Sequence, residues 1–172
     1  MSGHRVTRNI TLEELVRSRD HAELAASPYE LAAALVITLV RLALVLQAFR
    51  DRLDAGAIYV TSGYRPRELH EAIHAPRPAP SSSRHLLGTA ADFELEELES
   101  IAAFVRIAKL GLKAPERLPG FDRLCLYPKR GHLHLEVTRD PRKAPRHLLY
   151  IDSGGGWRPI SYEAATELLE AA

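Results

Sequence analysis

The fold and chemistry of this chain are decided by two short stretches, SRHLLGTAAD at residues 83–92 and HLH at residues 132–134. Together they offer two imidazoles and a carboxylate to one divalent metal, with a further imidazole beside them. Three protein ligands and a fourth position left for water are typical of a catalytic zinc site, whereas a structural site usually closes with four ligands, often cysteines. The chain has one cysteine, Cys125, so a cage of thiolates is excluded.

The first stretch has the composition of a turn that leads into a strand. Gly88 permits a tight turn after His85, because a residue without a Cβ atom tolerates positive φ. The small residues at 90 and 91 let the following backbone pack closely, and Asp92 then lies on a short extended segment over residues 89–93. A loop histidine and a strand carboxylate seven positions later can therefore converge on one ion.

Polar and apolar residues alternate strictly over residues 132–137, which is the period of a half-buried strand. Successive side chains of a strand point to opposite faces. We therefore expect His132, His134 and Glu136 on one face, and the three apolar residues between and after them on the other.

The pattern Ser-x-His-x-x-Gly-x-Ala-x-Asp followed by His-x-His resembles the family of zinc D-Ala-D-Ala carboxypeptidases and peptidoglycan endopeptidases, which share a fold with the hedgehog signalling domain. The first block matches at every fixed position, and SGYR at residues 62–65 matches a further block of that family. ITLEEL at residues 10–15 and FD at residues 121–122 look like its phage-type subgroup. The resemblance spans about residues 10–138.

This resemblance implies the fold, the metal and the reaction. It implies an α+β fold, with a small antiparallel sheet and packed helices, and one Zn²⁺ bound by His85, Asp92 and His134. The implied reaction is cleavage of an amide bond next to a D-amino acid in the stem peptide of peptidoglycan. Bound zinc would polarise the scissile carbonyl and lower the pKa of a coordinated water.

The resemblance also implies roles for side chains around the metal. His132 is expected near the attacking water or the developing oxyanion, where an imidazole that titrates near neutrality is useful. The planar guanidinium of Arg65 is expected to bind a carboxylate or a carbonyl of the peptide substrate. Tyr64 and Ser83 are expected beside the substrate, with Tyr64 at the core or rim of the site and Ser83 orienting the loop.

The sequence departs from the family at the general base. Relatives place an acidic residue shortly before the last histidine, and Tyr127 stands at about that position here. Glu136 is the carboxylate that could replace it, and Asp122 is a weaker substitute. The alternative function is therefore a catalytically lapsed, zinc-containing protein of the same fold that binds cell wall or has a structural role in a phage.

Length, composition and net charge limit the number of domains and the classes of partner. A chain of 172 residues with 46% hydrophobic and 26% charged residues is expected to form one globular domain. We expect a motif-bearing part over residues 10–138 and a C-terminal hairpin and helix over residues 139–172. A formal net charge of +1 favours no nucleic-acid partner, and we expect a monomer.

No apolar run follows the basic residues near the N-terminus, so a secretory signal is not expected. The chain is then cytoplasmic as synthesised, and it would be phage-associated or reach the cell wall by another route, such as the one that phage lysis proteins use.

Local signals predict the order of the elements. Helices are expected at residues 11–19, 28–53, 67–73, 96–110 and 161–170, and strands at 57–61, 89–93, 121–127, 132–137 and 147–152. The apolar stretch at residues 31–46 could span a membrane by length, which leaves a membrane-associated protein as a third option. Arg41 in its middle favours a buried core helix without a membrane span, because a charge at the bilayer centre is unfavourable.

Overall fold

The computed structural model describes residues 3–138, 140, 142–154 and 156–168. In this part of the chain one sheet has six strands in the order β1-β2-β4-β3-β5-β6. The strands are β1 Ile58–Ser62, β2 Ala90–Leu95, β3 Arg123–Tyr127, β4 His132–Glu136, β5 Leu148–Asp152 and β6 Trp157–Ile160. The helices are α1 Leu12–Val16, α2 Ala33–Leu53, α3 Arg67–His74, α4 Ser100–Lys113 and α5 Tyr162–Glu167. The predicted α+β class is confirmed.

The hydrophobic core lies between one face of the sheet and the helices α2 and α4. Phe49 of α2 packs between Phe93 of β2 and Phe121, with ring centroids 6.4 and 5.6 Å apart. The apolar side chains of β4, Leu133 and Leu135, are fully buried in this core. The alternation along β4 therefore turns its polar side chains to the opposite face, as predicted.

One pair of neighbouring strands departs from the predicted antiparallel sheet. Strand β5 pairs with β3 in parallel, and every other pair in the described sheet is antiparallel. The connection between β4 and β5 spans residues 137–147, long enough to step over β3 and bring β5 to its far side. The C-terminal hairpin thus extends the sheet at the edge that β3 would otherwise present.

Two helices begin later than the sequence signals suggested. Residues 28–30 form one turn of 3-10 helix in which the hydroxyl of Ser27 caps nothing, and Leu31 returns to extended backbone before α2 begins at Ala33. Residues 96–99 are also outside a helix. The carboxylate of Glu96 accepts hydrogen bonds from the amide of Ala57 and the hydroxyl of Tyr59, which ties this segment to β1.

Helix α4 was predicted to end at residue 110, but it continues through Gly111 to Lys113. A Cβ atom at Gly111 would collide with the ring of Tyr162 in α5. Glycine therefore allows α5 to pack closely on α4. The predicted cap of α5 is confirmed, because the Ser161 hydroxyl accepts from the amide of Ala164. The predicted end of that helix at Glu170 lies outside the described residues.

Helix α2 is long and apolar enough to cross a membrane, but core helices of soluble proteins can have the same length and composition. One side of it is buried against the sheet, through residues such as Leu42 and Leu46. Arg41 is half-buried and donates a hydrogen bond to the carbonyl of Thr138, at 3.0 Å. Here α2 is therefore a core helix with one exposed side.

Candidate metal centre

Three potential ligands meet on the polar face of the sheet. His85 comes from a turn of 3-10 helix at Arg84–Leu87, Asp92 from β2 and His134 from β4. Asp92 and His134 are directly opposite each other in the antiparallel ladder. One ligand atom from each of the three residues lies within 4.8 Å of the others. The structure thus brings together the three ligands that the sequence implied.

A hydrogen bond on the side of the ring away from Asp92 fixes the orientation of His85. Its Nδ1–H donates a hydrogen bond of 2.7 Å to the carbonyl of Gly63 at the end of β1. This contact sets the tautomer, so the lone pair is on Nε2, which lies 3.6 Å from Asp92 Oδ2. A hydrogen bond to the far nitrogen is the usual support of a metal-binding histidine. The positive φ of 63° at Gly88 closes the turn that carries His85.

Asp92 is held between His134 and Arg65. His134 Nδ1 donates to Asp92 Oδ1, and Arg65 Nη2 donates to Asp92 Oδ2, both at 2.7 Å. Burial alone would raise the pKa of the Asp92 carboxyl. The neighbouring imidazoles of His85 and His134 outweigh burial and hold that pKa well below its usual range. The cluster therefore presents an ionised carboxylate to a cation.

His134 lies between two carboxylates. Its Nε2 is buried, lies 3.5 Å from Glu136 Oε1 and makes no hydrogen bond of good geometry among the described residues. Burial lowers the pKa of His134, but the hydrogen bonds and charges of Asp92 and Glu136 raise it to about 9. A proton on His134 thus neutralises these anions, and a divalent metal at the cluster would replace that proton.

Two imidazoles and one carboxylate are a donor set that zinc accepts, and three protein ligands leave a position open. The donors converge on the polar face, and the imidazole of His85 has its free nitrogen turned inward. The cluster therefore fits a catalytic metal ion.

The cluster lies in a cleft of about 490 Å³. His132 lines this cleft, and its ring packs on the ring of Tyr127 with centroids 4.9 Å apart. Burial is the main cause that lowers the pKa of His132. Ser83 and Arg65 also line the cleft, as predicted for residues near a substrate. Tyr64 packs against the hydrophobic core and is not among the described residues that line the cleft.

Tyr127 occupies the wall where an acidic base was expected from the resemblance. Its hydroxyl accepts a hydrogen bond of 2.6 Å from Nε1 of Trp157. Burial is the main cause that raises the pKa of Tyr127 to about 12. The phenol therefore stays protonated near neutral pH and does not act as a base there.

Glu136 is buried on the other side of His134 from Asp92. Besides His134, it faces Arg123 Nη1 at 3.3 Å and Arg84 Nε at 3.8 Å. Asp122, the weaker substitute, does not line this cleft; it borders an adjoining pocket with Arg84 and Arg146. Among the described residues, Asp92 and Glu136 are thus the carboxylates of the cleft.

Trp157 is a cleft residue that was not predicted from the sequence. It begins β6 in the C-terminal extension, and its ring lies 5.0 Å from that of His134. The available signal was weak, a lone tryptophan after a glycine-rich turn at residues 153–156. Only the pairing of β5 with β3 brings this segment beside the metal cluster.

The family described as Peptidase M15 matches residues 8–135 of the chain. The matched region contains all three residues of the metal cluster and ends one residue before Glu136. The C-terminal hairpin, including Trp157, lies beyond it. No curated protein matches the chain significantly.

Proposed function

The chain belongs to the Peptidase M15 family, and from that premise we propose that it is a zinc-dependent peptidase that cleaves an amide bond next to a D-amino acid in the stem peptide of peptidoglycan. The observation that carries the proposal is the cluster of His85, Asp92 and His134 at the base of an open cleft. M15 peptidases are zinc-dependent, and this cluster supplies the donors that zinc requires.

Each ligand is positioned by a neighbour of its own. Gly63 orients His85, Arg65 holds Asp92, and Glu136 faces the outer nitrogen of His134. When bound, zinc would polarise the scissile carbonyl and lower the pKa of a coordinated water to about 7. Carboxylates and carbonyls behind the ligands raise their basicity and fix their direction.

Arg65 both supports the metal ligand and remains available to substrate. Its Nε donates to the hydroxyl of Ser62 at 2.8 Å, and Nη2 donates to Asp92. Within the part of the chain that is described, Nη1 makes no hydrogen bond, and the side chain lines the cleft with 11% of its surface exposed. This nitrogen is the donor we assign to a carbonyl or carboxylate of the peptide.

Geometry separates the two residues that were candidates for proton transfer. His132 lines the cleft, and its ring makes no hydrogen bond among the described residues, so it can accept a proton from the attacking water and return it to the leaving amine. Glu136 contacts His134, Arg84 and Arg123, which engage its carboxylate. We therefore assign proton transfer to His132 and the orientation of His134 to Glu136.

Metal analysis and peptide hydrolysis test the proposal together. We expect one zinc per chain in the wild type, and strong zinc loss in His85→Ala and His134→Ala. We expect release of D-Ala from a stem pentapeptide, or new amine groups from purified cell wall. His21→Ala is the matched control outside the cleft. Full zinc occupancy in both ligand variants would show that the metal site is wrongly assigned.

The assignment of His132 and Glu136 makes opposite predictions for two variants. His132→Ala should lower kcat by about 10²–10⁴-fold while zinc content is unchanged, because general acid–base catalysis contributes that much. Glu136→Gln should weaken zinc binding by about 10–100-fold and retain turnover at saturating zinc. Loss of turnover in Glu136→Gln with normal zinc affinity would instead identify Glu136 as the base.

Tyr127 favours a second function, in which the protein has lost hydrolytic activity and binds cell wall. The hydroxyl of Tyr127 is already bonded to Trp157, and its raised pKa makes it a poor base. A protein of this kind would keep zinc and bind stem peptides without turnover. Tyr127→Glu restores a carboxylate at the position that relatives use, so a gain of hydrolysis in this variant from an inactive wild type would support the second function. Wild-type turnover would exclude it.

A further inference from the structure

We propose that a second, basic pocket beside the cleft binds a side-chain carboxylate of an acidic peptide substrate. This inference rests on the proposed peptidase function and adds a substrate class to it. The pocket has a volume of about 630 Å³. Arg84 and Asp122 line one side of it, and the other side is lined by Thr138, Asp140, Arg142, Lys143, Ala144 and Arg146.

Positive charge exceeds negative charge in this pocket. Its described lining includes four cationic side chains and two carboxylates. One carboxylate, Asp140, is already engaged, because Arg142 donates to it from both its amide and Nε, at 3.0 and 3.1 Å. Asp122 is then left to face Arg146 at 3.3 Å and Arg84 at 3.9 Å, with Lys143 also in the wall. An anion entering the pocket would therefore meet an excess of cations.

Arg84 is the residue that marks the pocket as a binding site. Its side chain is only 22% exposed, yet its guanidinium makes no hydrogen bond within the described chain. The nearest carboxylates, Glu136 at 3.8 Å and Asp122 at 3.9 Å, each have a closer arginine partner. The donors of this partly exposed guanidinium are therefore open to a ligand that enters the pocket. Its forked donors match a carboxylate, which can accept two parallel hydrogen bonds.

The position of Arg84 connects the pocket to the metal cluster. Arg84 lines both cavities and directly precedes the metal ligand His85. A peptide held in the cleft therefore passes Arg84 as it extends, and a carboxylate on a neighbouring residue can enter the basic pocket. This continuity with a peptide cleft favours a peptide carboxylate over an inorganic phosphate as the ligand.

The far wall of the pocket is formed by residues outside the matched family region. Lys143 and Arg146 lie beyond the matched family region, which ends at residue 135. They precede β5, and the parallel pairing of β5 with β3 places their segment next to Asp122. The extension that supplies Trp157 to the cleft thus also supplies cations to the pocket.

Equilibrium binding of two matched peptides tests the proposal. The probes are a stem tetrapeptide with a free side-chain carboxylate and the same peptide with that carboxylate amidated. Binding to the zinc-loaded protein is followed by calorimetry and by the fluorescence of Trp157, the only tryptophan. The wild type should prefer the acidic peptide by about tenfold or more, the effect of a charge-assisted hydrogen bond.

Lys143→Gln, which lines only the basic pocket, should reduce this preference and leave the affinity for the amidated peptide unchanged, and Arg84→Gln should reduce the preference further. Arg117→Gln, at an exposed site outside both cavities, is the control. Equal affinity of the wild type for both peptides, or binding of neither, overturns the proposal. Competition by inorganic phosphate without any preference for the acidic peptide identifies a phosphate site and also overturns it. Hydrolysis measured separately reports on the proposed function, since a preference in binding does not require turnover.

Discussion

Arg65 contacts Asp92, one of the proposed metal ligands, and this contact changes the expected effect of substituting Arg65. The sequence suggested only a clamp for substrate. In the structure its Nη2 bonds to Asp92 and its Nε bonds to Ser62, so the residue also fixes the direction of the carboxylate. A lysine has one point of charge and cannot make both contacts while offering a third donor to a peptide.

Arg65→Lys should therefore weaken the affinity for zinc as well as the affinity for substrate. We expect an increase of about 10-fold in the zinc dissociation constant, the lower end of the effect of residues that orient metal ligands. Competition with a chelator of known affinity measures it. Arg67→Lys is the matched control, since Arg67 is exposed and, among the described residues, pairs only with Glu71, at 3.9 Å. Unchanged zinc affinity in Arg65→Lys would limit Arg65 to substrate binding.

The cluster of three potential metal ligands could be predicted from the sequence because its signal is local. The turn at Gly88 and the alternation along β4 depend on neighbouring residues, and the structure brings His85, Asp92 and His134 together. The contact between Arg65 and Asp92 joins residues 27 positions apart, and no local pattern encodes such a pair. The place of Trp157 in the cleft could not be predicted for the same reason, because it depends on the pairing of β5 with β3 and of β6 with β5.

At the level of elements, helix starts were less predictable than strands. Ser27 and Pro28 have the composition of a helix start, yet one turn of 3-10 helix forms there. The ring of Tyr29 in this turn is largely exposed and meets His4 edge-on, with centroids 4.7 Å apart, and Leu31 then returns to extended backbone before α2 begins. The helix predicted to end at residue 110 continues through Gly111, where the packing of α5 on α4 requires a glycine.

Helix α3 and the loop after it are joined by a buried histidine. His70 Nε2 donates a hydrogen bond of 2.9 Å to the carbonyl of Pro80, and its Nδ1 is buried with no partner among the described residues. Burial is the main cause that lowers the pKa of His70, and nearby His74 and Arg65 also lower it, while the Pro80 hydrogen bond and Glu71 oppose them. An added proton would go to the buried Nδ1, which faces no acceptor among the described residues, so protonation of His70 is unfavourable in the folded chain.

The sign of the pH effect follows from the lowered pKa of His70. Above the unfolded pKa of about 6.5, His70 is neutral in both states and its contribution to stability is complete. Below that value the unfolded chain binds the proton more readily, so stability is lost as the pH falls towards the folded pKa. The urea midpoint should therefore decrease from pH 7.5 to 5.0, and His70→Gln should reduce the decrease.

These unfolding measurements require a chelator, so that the pH dependence of zinc binding does not contribute. His21→Gln, at a histidine outside the contact with Pro80, is the control and should keep the decrease of the wild type. An identical decrease in His70→Gln and wild type would show that protonation of His70 has no effect on stability between these pH values.

At the scale of the whole molecule, the C-terminal extension is joined to the motif-bearing part by the sheet. Strand β5 covers the edge of β3, and Leu149 is buried in the same core as Leu124 and Leu135. The hairpin also sets Trp157 against Tyr127 at the wall of the cleft. The core, the cleft and the basic pocket therefore all depend on residues outside the matched family region.

A chain that ends at residue 147 should consequently fail to fold cooperatively. Removal of Leu149 from the core would by itself destabilise the fold by about 2–5 kcal/mol. The total free energy of unfolding of a domain is typically about 5–15 kcal/mol. The truncation also removes Ala165 from the core and exposes the edge of β3 to other chains. Thermal unfolding, light scattering and zinc content of the truncated chain test this expectation. Full-length Trp157→Phe is the control, since it keeps the sheet, loses one hydrogen bond and should unfold cooperatively with its zinc bound. A truncated chain that retains a cooperative transition and one zinc would show that the matched region is an independent domain, and that the C-terminal extension shapes the cleft without being required for the fold.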